Sequence, residues 1–168
     1  GGSFVTGIRV GHPTMSSVTG FNKAGLLAGN WWRRAMQARE MDLVEAQFVH
    51  TAELAREAGF DAVELHMGHG YLLNQFISPL DNRRRDEYGG NAENRARFPT
   101  RVLAAVKKAV GKDLAVIAKI NVADGVPGGA TADDAAVTAR MLENAGADLL
   151  VLSGGRNVES TWFMFGSL

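Results

Sequence analysis

The chain has 168 residues, of which 46% are hydrophobic and 21% are charged, and its 18 basic residues balance its 18 acidic ones. This composition is that of about one globular domain, and the formal charge of zero argues against binding to nucleic acid or an anionic membrane, so we expect a small-molecule partner. The absence of cysteine excludes disulfides, thiolate metal sites and cysteine nucleophiles. Because there is neither a signal-peptide pattern nor an apolar run of membrane-spanning length, we expect a cytoplasmic protein.

Residues 1–42 are rich in glycine and show weak periodicity, which predicts a loop-rich segment ahead of the first regular element. The main domain is then expected to span residues 43–168. Its first element is predicted as a helix that ends at Gly59, because one face is apolar and glycine supplies a stop. That face consists of Val44, Phe48, Ala52 and Ala55. A short apolar strand is predicted to follow at residues 60–66.

A polar loop separates this strand from the second helix. Within the loop, residues 82–90 are expected to be architectural, with Asp86 pairing with neighbouring arginines. The second helix is predicted to begin at about Glu93 or Arg95 and to run to residue 110. Because proline is tolerated only near a helix start, the true N-terminus of this helix is expected close to Pro99.

A second strand is predicted at residues 114–120, directly after the second helix. After a loop rich in glycine and proline, the third helix is predicted to begin at the cap residue Thr131 and to end at Gly146. A third strand is predicted at residues 148–152. The chain therefore alternates between helices and short apolar strands.

Short apolar strands separated by helices predict a parallel sheet covered by helices, as in a (β/α)8 barrel or a doubly wound sheet. We favour the barrel because polar residues recur where the strands end, which is the rim where barrel active sites are built. These residues are His66, His69, Lys119 and the Ser153-Gly154-Gly155 turn. A complete barrel takes about 250 residues, so we expect the chain to hold only part of one, with about three βα units.

Two histidines and a tyrosine follow one another closely at the end of the first predicted strand. In a strand, Glu64 and His66 point to the same side, which would be the barrel interior. The glycines beside the second histidine permit a tight turn that brings His69 and Tyr71 back over the same mouth. Two imidazoles can donate hydrogen bonds to a developing oxyanion, and a phenol can deliver a proton.

The chain resembles the old yellow enzyme family of NADH:flavin oxidoreductases over roughly residues 43–155. The segments that carry the resemblance are AGFDAVELHMGHGYLLNQFISPLDNRRRDEYGGNAENRARFP, AVIAKINVADGVPGG and AGADLLVLSGG. The resemblance implies an FMN-dependent (β/α)8 barrel that reduces activated alkenes or similar acceptors, with NADH or NADPH as the reductant. It also implies that the chain holds strands four to six of that barrel and little of the site that binds the flavin phosphate.

The resemblance further implies a role for each matching residue. His66 and His69 bind the acceptor oxygen above the flavin, and Tyr71 is the proton donor. Lys119 takes the place of the cation at the N1/O2 edge of the flavin, where the family more often has arginine. The implied catalytic residues are therefore Tyr71, His66 and His69, and the implied cofactor-binding residues are Lys119, His66, Ser153, Gly154 and Gly155. No metal site is implied.

Plainer interpretations of these residues stay open. Without the resemblance, His66 and His69 would be interpreted as hydrogen-bonded structural histidines, and a zinc site is disfavoured because no third ligand is evident. Lys119 is also expected to form an ion pair with Glu64 in the barrel interior. The Ser153-Gly154-Gly155 segment fits a simple turn as well as a ligand contact.

Two other functions compete with the flavin enzyme. Lysine at the end of a barrel strand can form a Schiff base, so Lys119 also fits an aldolase-like barrel. The second alternative is a truncated fragment without catalytic activity. An open sheet of three parallel strands has two bare edges, so we expect the chain to form a homo-oligomer or to need the missing barrel segments.

Overall fold

The computed structural model describes residues 14–22 and 31–162, and its N-terminal part contains a small sheet. The strands of this sheet are β1 (Thr14–Ser16), β2 (Gly20–Phe21) and β3 (Trp32–Ala35). The central strand β3 pairs parallel with β1 and antiparallel with β2. The described part of the predicted loop-rich segment therefore contains strands, and these are too short to produce a detectable period in the sequence. The rest of the predicted segment lies outside the described residues.

Within the described residues, four helices and three strands follow the small sheet. They are α1 (Ala38–Glu57), β4 (Ala62–Met67), α2 (Leu72–Ile77), α3 (Ala92–Val110), β5 (Ala115–Asn121), α4 (Ala132–Asn144) and β6 (Leu149–Ser153). Strands β4, β5 and β6 form one parallel sheet in that order. The predicted three βα units are confirmed, and the order of the strands is that of neighbouring strands in a (β/α)8 barrel. The fold is part of such a barrel.

The helices begin at residues that satisfy their first backbone N–H groups. Helix α1 begins four residues before the predicted boundary at residue 42, and the Glu40 carboxylate accepts a hydrogen bond from the backbone N–H of Gln37 at 2.9 Å. The prediction that Thr131 caps α4 is confirmed, since its hydroxyl accepts from the backbone N–H of Asp134. The division of the chain at residue 42 stays a prediction as a domain boundary.

The start of α3 predicted at about Glu93 is confirmed to within one residue, whereas the suggested start close to Pro99 was wrong. The helix begins at Ala92, seven residues earlier, and Pro99 lies inside it. The Asn91 side chain caps the helix by accepting from the backbone N–H of Asn94 at 2.9 Å. The guanidinium of Arg95 then holds the first turns in place through Ile77 O at 2.8 Å and other acceptors. These contacts outweigh the cost of a proline in the helix.

The two faces of the parallel sheet differ in burial. The face toward the helices is buried and apolar, and consists of Leu65, Met67, Val116, Ala118 and Ile120. On the opposite face, the alternate residues Glu64, His66 and Lys119 are exposed or partly exposed. In a barrel this second face is the interior. The polar side chains that the sequence singled out therefore lie on the interior face, as predicted.

The loop after α2 joins the small sheet to the barrel segment. The guanidinium of Arg84 pairs with Asp86 at 2.5 Å, which confirms the pairing expected in this loop. The same guanidinium donates to the backbone carbonyls of Ser17 and Met36 at 3.0 and 2.9 Å. In the described ranges, no helix is both long and apolar enough to cross a membrane.

Candidate active site

The site begins with a charged pair at the ends of β4 and β5. His66 and Lys119 are register partners in the parallel ladder, and Glu64 lies two residues before His66 on the same face. The Nζ atom of Lys119 is 3.4 Å from Oε1 of Glu64, and both side chains are about one third exposed. The ion pair predicted as an alternative role for Lys119 is therefore present, and the ammonium still faces the barrel interior.

The turn after β4 brings the three aromatic side chains together. The ring of His66 lies 4.9 Å from that of His69 and 5.0 Å from that of Tyr71, measured between ring centroids. His69 has a φ of 60°, in the left-handed region that non-glycine residues seldom adopt, and Gly70 follows with a φ of 81°. This backbone conformation turns the chain back over the strand end. The predicted grouping of His66, His69 and Tyr71 is therefore present in the structure.

His69 is held by three hydrogen bonds from other elements. Its ring atom Nε2 lies 2.7 Å from Oγ of Ser153, at the end of β6. Its backbone N–H donates to Oδ1 of Asn121 at 3.1 Å, and its carbonyl accepts from the backbone N–H of Asn157 at 3.2 Å. Sequence reasoning missed Asn121. The available signal was its period, since Asn121 lies two residues after Lys119 and so faces the same side of β5.

Both histidines have pKa values below that of a free imidazole. Burial is the main cause for His66, and the nearby positive charges of His69 and Lys119 lower its pKa further, while Glu64 opposes them. Burial also lowers the pKa of His69, with Lys119 adding to the effect and Glu64 opposing it. Both rings are therefore neutral at pH 7, so each has one N–H donor and one acceptor nitrogen.

The Ser153-Gly154-Gly155 segment closes the same end of the sheet. The Ser153 hydroxyl contacts His69, and its carbonyl accepts from the backbone N–H of Val122 at 2.7 Å. Gly155 donates through its N–H to Ala123 O at 3.0 Å and accepts from Nδ2 of Asn121 at 2.8 Å. These contacts are those of a structural turn that orients its neighbours.

A buried charge cluster lies beside the site, and sequence reasoning missed it. The guanidinium of Arg156 is 2.6 Å from Asp81, 3.0 Å from Glu159 and 3.8 Å from Asp124. Asp81 also pairs with Arg33 at 2.9 Å. A cavity of about 390 Å³ borders this cluster and reaches Gly70. The cluster thus joins the segments that follow β4, β5 and β6.

The donor set of the interior face fits the ring edge of a flavin rather than a metal ion. Among the described residues, no group of three or more His, Cys, Asp or Glu side chains could hold a metal. A partly exposed ammonium at Lys119 can oppose the negative charge of a reduced isoalloxazine, and the imidazole of His66 can donate to its edge. These residues would hold the ring system and not the phosphate.

The chain is similar to a known family and to several curated proteins. Residues 12–161 match the NADH:flavin oxidoreductase / NADH oxidase family. The 4,4'-dithiodibutanoate disulfide reductase of Rhodococcus erythropolis is 45% identical over 127 residues, which are 75% of this chain and 32% of that protein. An NADPH dehydrogenase of Geobacillus sp. (strain WCH70) is 44% identical over 108 residues, which are 64% of this chain and 31% of that protein.

A solved structure gives the same result for the fold. The Old Yellow Enzyme from Pichia sp. AKU4542 matches with a TM-score of 0.69 and 31% sequence identity, over 91% of this chain and 43% of that one. The chain spans about a third of the length of the two curated relatives. It belongs to the NADH:flavin oxidoreductase / NADH oxidase family.

Proposed function

We propose that the complete protein is an FMN-dependent NAD(P)H oxidoreductase of the old yellow enzyme type, an ene-reductase that acts on an activated alkene or a similar acceptor. The observation that carries this proposal is the cluster of His66, His69 and Tyr71 at the end of β4. In this cluster the rings of His69 and Tyr71 lie 4.9 and 5.0 Å from that of His66. Such a cluster combines hydrogen-bond donors with a proton donor beside a fixed cation. Family membership and the identity to NADH- and NADPH-dependent relatives support the choice of reductant.

The two histidines would bind the oxygen of the acceptor. Because burial keeps both imidazoles neutral at pH 7, each can present one N–H to the oxygen atom where negative charge develops. Donors that are already in position before the reaction stabilise that charge without reorganising, and losing one such donor costs about 100- to 1000-fold in rate. In His69, Ser153 occupies Nε2, so Nδ1 is the ring nitrogen left for the acceptor.

Tyr71 would deliver the proton. When bound, FMN supplies the hydride that is added to the β-carbon of the acceptor. The ring of Tyr71 lies 5.0 Å from that of His66, and its phenol would protonate the other carbon of the double bond, so that the acceptor gains one hydride and one proton. The histidines hold the acceptor in the orientation that this proton transfer needs.

Lys119 would hold the negatively charged edge of the cofactor, with His66 beside it. The Glu64 carboxylate at 3.4 Å keeps the ammonium directed across the interior face. The Ser153-Gly154-Gly155 turn would border the cofactor and contributes through its support of His69. The cytoplasmic location stays a prediction, as does the association of the chain with a further copy or with the missing barrel segments.

The experiment that tests the proposal separates the two half-reactions. Tyr71→Phe in the complete protein, loaded with FMN, should slow reduction of an activated alkene such as 2-cyclohexenone by about 100-fold or more. Reduction of the flavin by NADPH or NADH in stopped flow should stay within about twofold of the parent rate. An equal loss in both half-reactions would contradict the assigned role.

A Schiff-base function for Lys119 is less well supported. Lysines of that kind are activated by an apolar pocket or by a neighbouring cation, whereas Lys119 faces a carboxylate. Borohydride reduction in the presence of a carbonyl ligand and without flavin would trap an adduct on Lys119 if the aldolase-like alternative were correct.

A further inference from the structure

We propose that Asn121 is a positioning residue that fixes His69 for acceptor binding by holding its backbone in the left-handed conformation. The consequence for catalysis rests on the function proposed above, while the positioning itself does not. Asn121 is the last residue of β5 and is buried, with 5% of its surface exposed. It lies two residues after Lys119 and pairs with Ser153 in the ladder.

Both N–H donors of the Asn121 amide and its Oδ1 form hydrogen bonds. Its Oδ1 accepts from the backbone N–H of His69 at 3.1 Å. Its Nδ2 donates to Oδ1 of Asp124 at 3.1 Å and to the carbonyl of Gly155 at 2.8 Å. Because both partners of Nδ2 are acceptors and the partner of Oδ1 is a donor, the amide has a single favourable orientation.

Gly68, directly before His69, leaves space for the Asn121 amide. A Cβ atom built on Gly68 would lie 2.7 Å from Oδ1 of Asn121, which is closer than such atoms approach one another. Glycine at position 68 therefore lets the amide reach the N–H of His69. The close approach and the hydrogen bond together join the turn after β4 to the end of β5.

This contact matters because His69 adopts a backbone conformation that histidine does not favour. A non-glycine residue with φ of 60° persists only where its surroundings hold it. For His69 the surroundings are Asn121 at its N–H, Asn157 at its carbonyl and Ser153 at its ring. Without the Asn121 bond, the backbone can relax to negative φ, and the imidazole would leave its place beside His66.

A purely structural role for Asn121 makes a different prediction, so the test needs a matched control. Asn82 is also buried with 5% exposure, and its amide also donates two hydrogen bonds, here to the carbonyls of Phe76 and Tyr88, each at 2.6 Å. Its Oδ1 likewise accepts a backbone N–H, that of Arg84 at 3.1 Å. Asn82 lies in the loop after α2 and contacts neither histidine through these bonds.

The experiment compares Asn121→Ala with Asn82→Ala in the complete protein. We expect the two variants to lose similar stability, but only Asn121→Ala should change the NMR titration of the His69 imidazole, assigned with His69→Gln. Only Asn121→Ala should also slow the acceptor half-reaction, by about 10- to 100-fold, with flavin reduction nearly unchanged. In the His69→Ala background, Asn121→Ala should have little further effect on that step.

Two results would overturn the proposal: an unchanged His69 titration in Asn121→Ala, or fully additive losses in the double variant. If Asn121→Ala does not fold, Gly68→Ala carries the same test, since its methyl group displaces the amide without removing it. A protein that reduces no alkene at all would contradict the proposed function. The His69 titration would still decide whether Asn121 positions the ring.

Discussion

The Nε2 atom of His69 lies 2.7 Å from the Oγ atom of Ser153, so the turn after β4 is hydrogen-bonded to the last residue of β6. The two residues are 84 positions apart in the chain. The sequence had suggested Ser153 as a contact to the cofactor. That role stays a prediction, and the hydrogen bond to Nε2 predicts in addition that the Ser153 hydroxyl sets the orientation of the His69 ring.

Ser153→Ala should therefore weaken acceptor reduction more than it weakens FMN binding. The loss of one hydrogen bond to the imidazole should lower kcat/KM for the alkene by roughly 2- to 10-fold. The dissociation constant of FMN, measured by fluorescence titration of the apoprotein, should stay within about twofold. Thr138→Ala is a suitable control, because it removes another hydrogen-bonded hydroxyl, which is buried and donates to Asp134 O within α4.

The opposite pattern would favour the original assignment. If Ser153→Ala released FMN while the remaining loaded protein reduced the alkene at the parent rate, Ser153 would be a cofactor contact. Its hydrogen bond to His69 would then be incidental to catalysis.

The pKa values of His66 and His69 should respond in opposite directions to removal of the two charges beside them. Lys119→Met removes a positive charge that lowers both pKa values, so both should rise. Glu64→Gln removes a negative charge that raises both, so both should fall. Histidine NMR titrations of the two variants would check this, and shifts of the same sign in both variants would contradict it.

The same depressed pKa values predict how stability depends on pH. In the unfolded chain these imidazoles take up protons as the pH falls through about 6.5, whereas in the folded chain they do so only at lower pH. The unfolded state therefore binds more protons than the folded state as the pH falls below about 6.5. The free energy of unfolding should decrease as the pH is lowered through this range. His66→Gln should reduce this dependence in urea unfolding measured from pH 7.5 to 5.

The interior face could be predicted because a strand has a strict period of two. Once β4 and β5 are recognised, their alternation puts Glu64, His66 and Lys119 on one side. The turn residues His69 and Tyr71 could be expected near that face because glycines flank the second histidine. The parallel sheet followed from short apolar runs separated by capped helices.

Very short helices and contacts between segments far apart in the chain could not be predicted in this way. Helix α2 has only six residues, which is too short to establish a helical period. In the sequence Asn121 resembles any other residue at the end of a strand. Its proposed role in positioning His69 depends on the close approach of Gly68, which only the fold shows. The suggested start of α3 near Pro99 was wrong because the proline was weighed without the cap at Asn91.

The charge cluster at Arg156 is another feature that only the fold assembles. Asp81 precedes Arg156 by 75 residues, and Asp124 belongs to the loop between β5 and α4. The Asp124 carboxylate also accepts from the hydroxyl of Ser78 at 2.6 Å and from the backbone N–H of Ala130 at 2.8 Å. The cluster thus connects three of the loops that surround the turn after β4.

Arg156→Met should be among the more destabilising single changes in this part of the chain. The arginine side chain is only 5% exposed, and its loss leaves the buried carboxylates of Asp81 and Asp124 short of a counter-charge. Breaking a buried ion pair from one side costs about 3–5 kcal/mol, which urea unfolding of the complete protein can measure. Lys107→Met is the control, because Lys107 pairs at 2.7 Å with Asp148, whose carboxylate is 40% exposed, and surface pairs contribute about 0–1 kcal/mol. Equal losses in the two variants would mean that the Arg156 cluster is no more important to the fold than a surface ion pair.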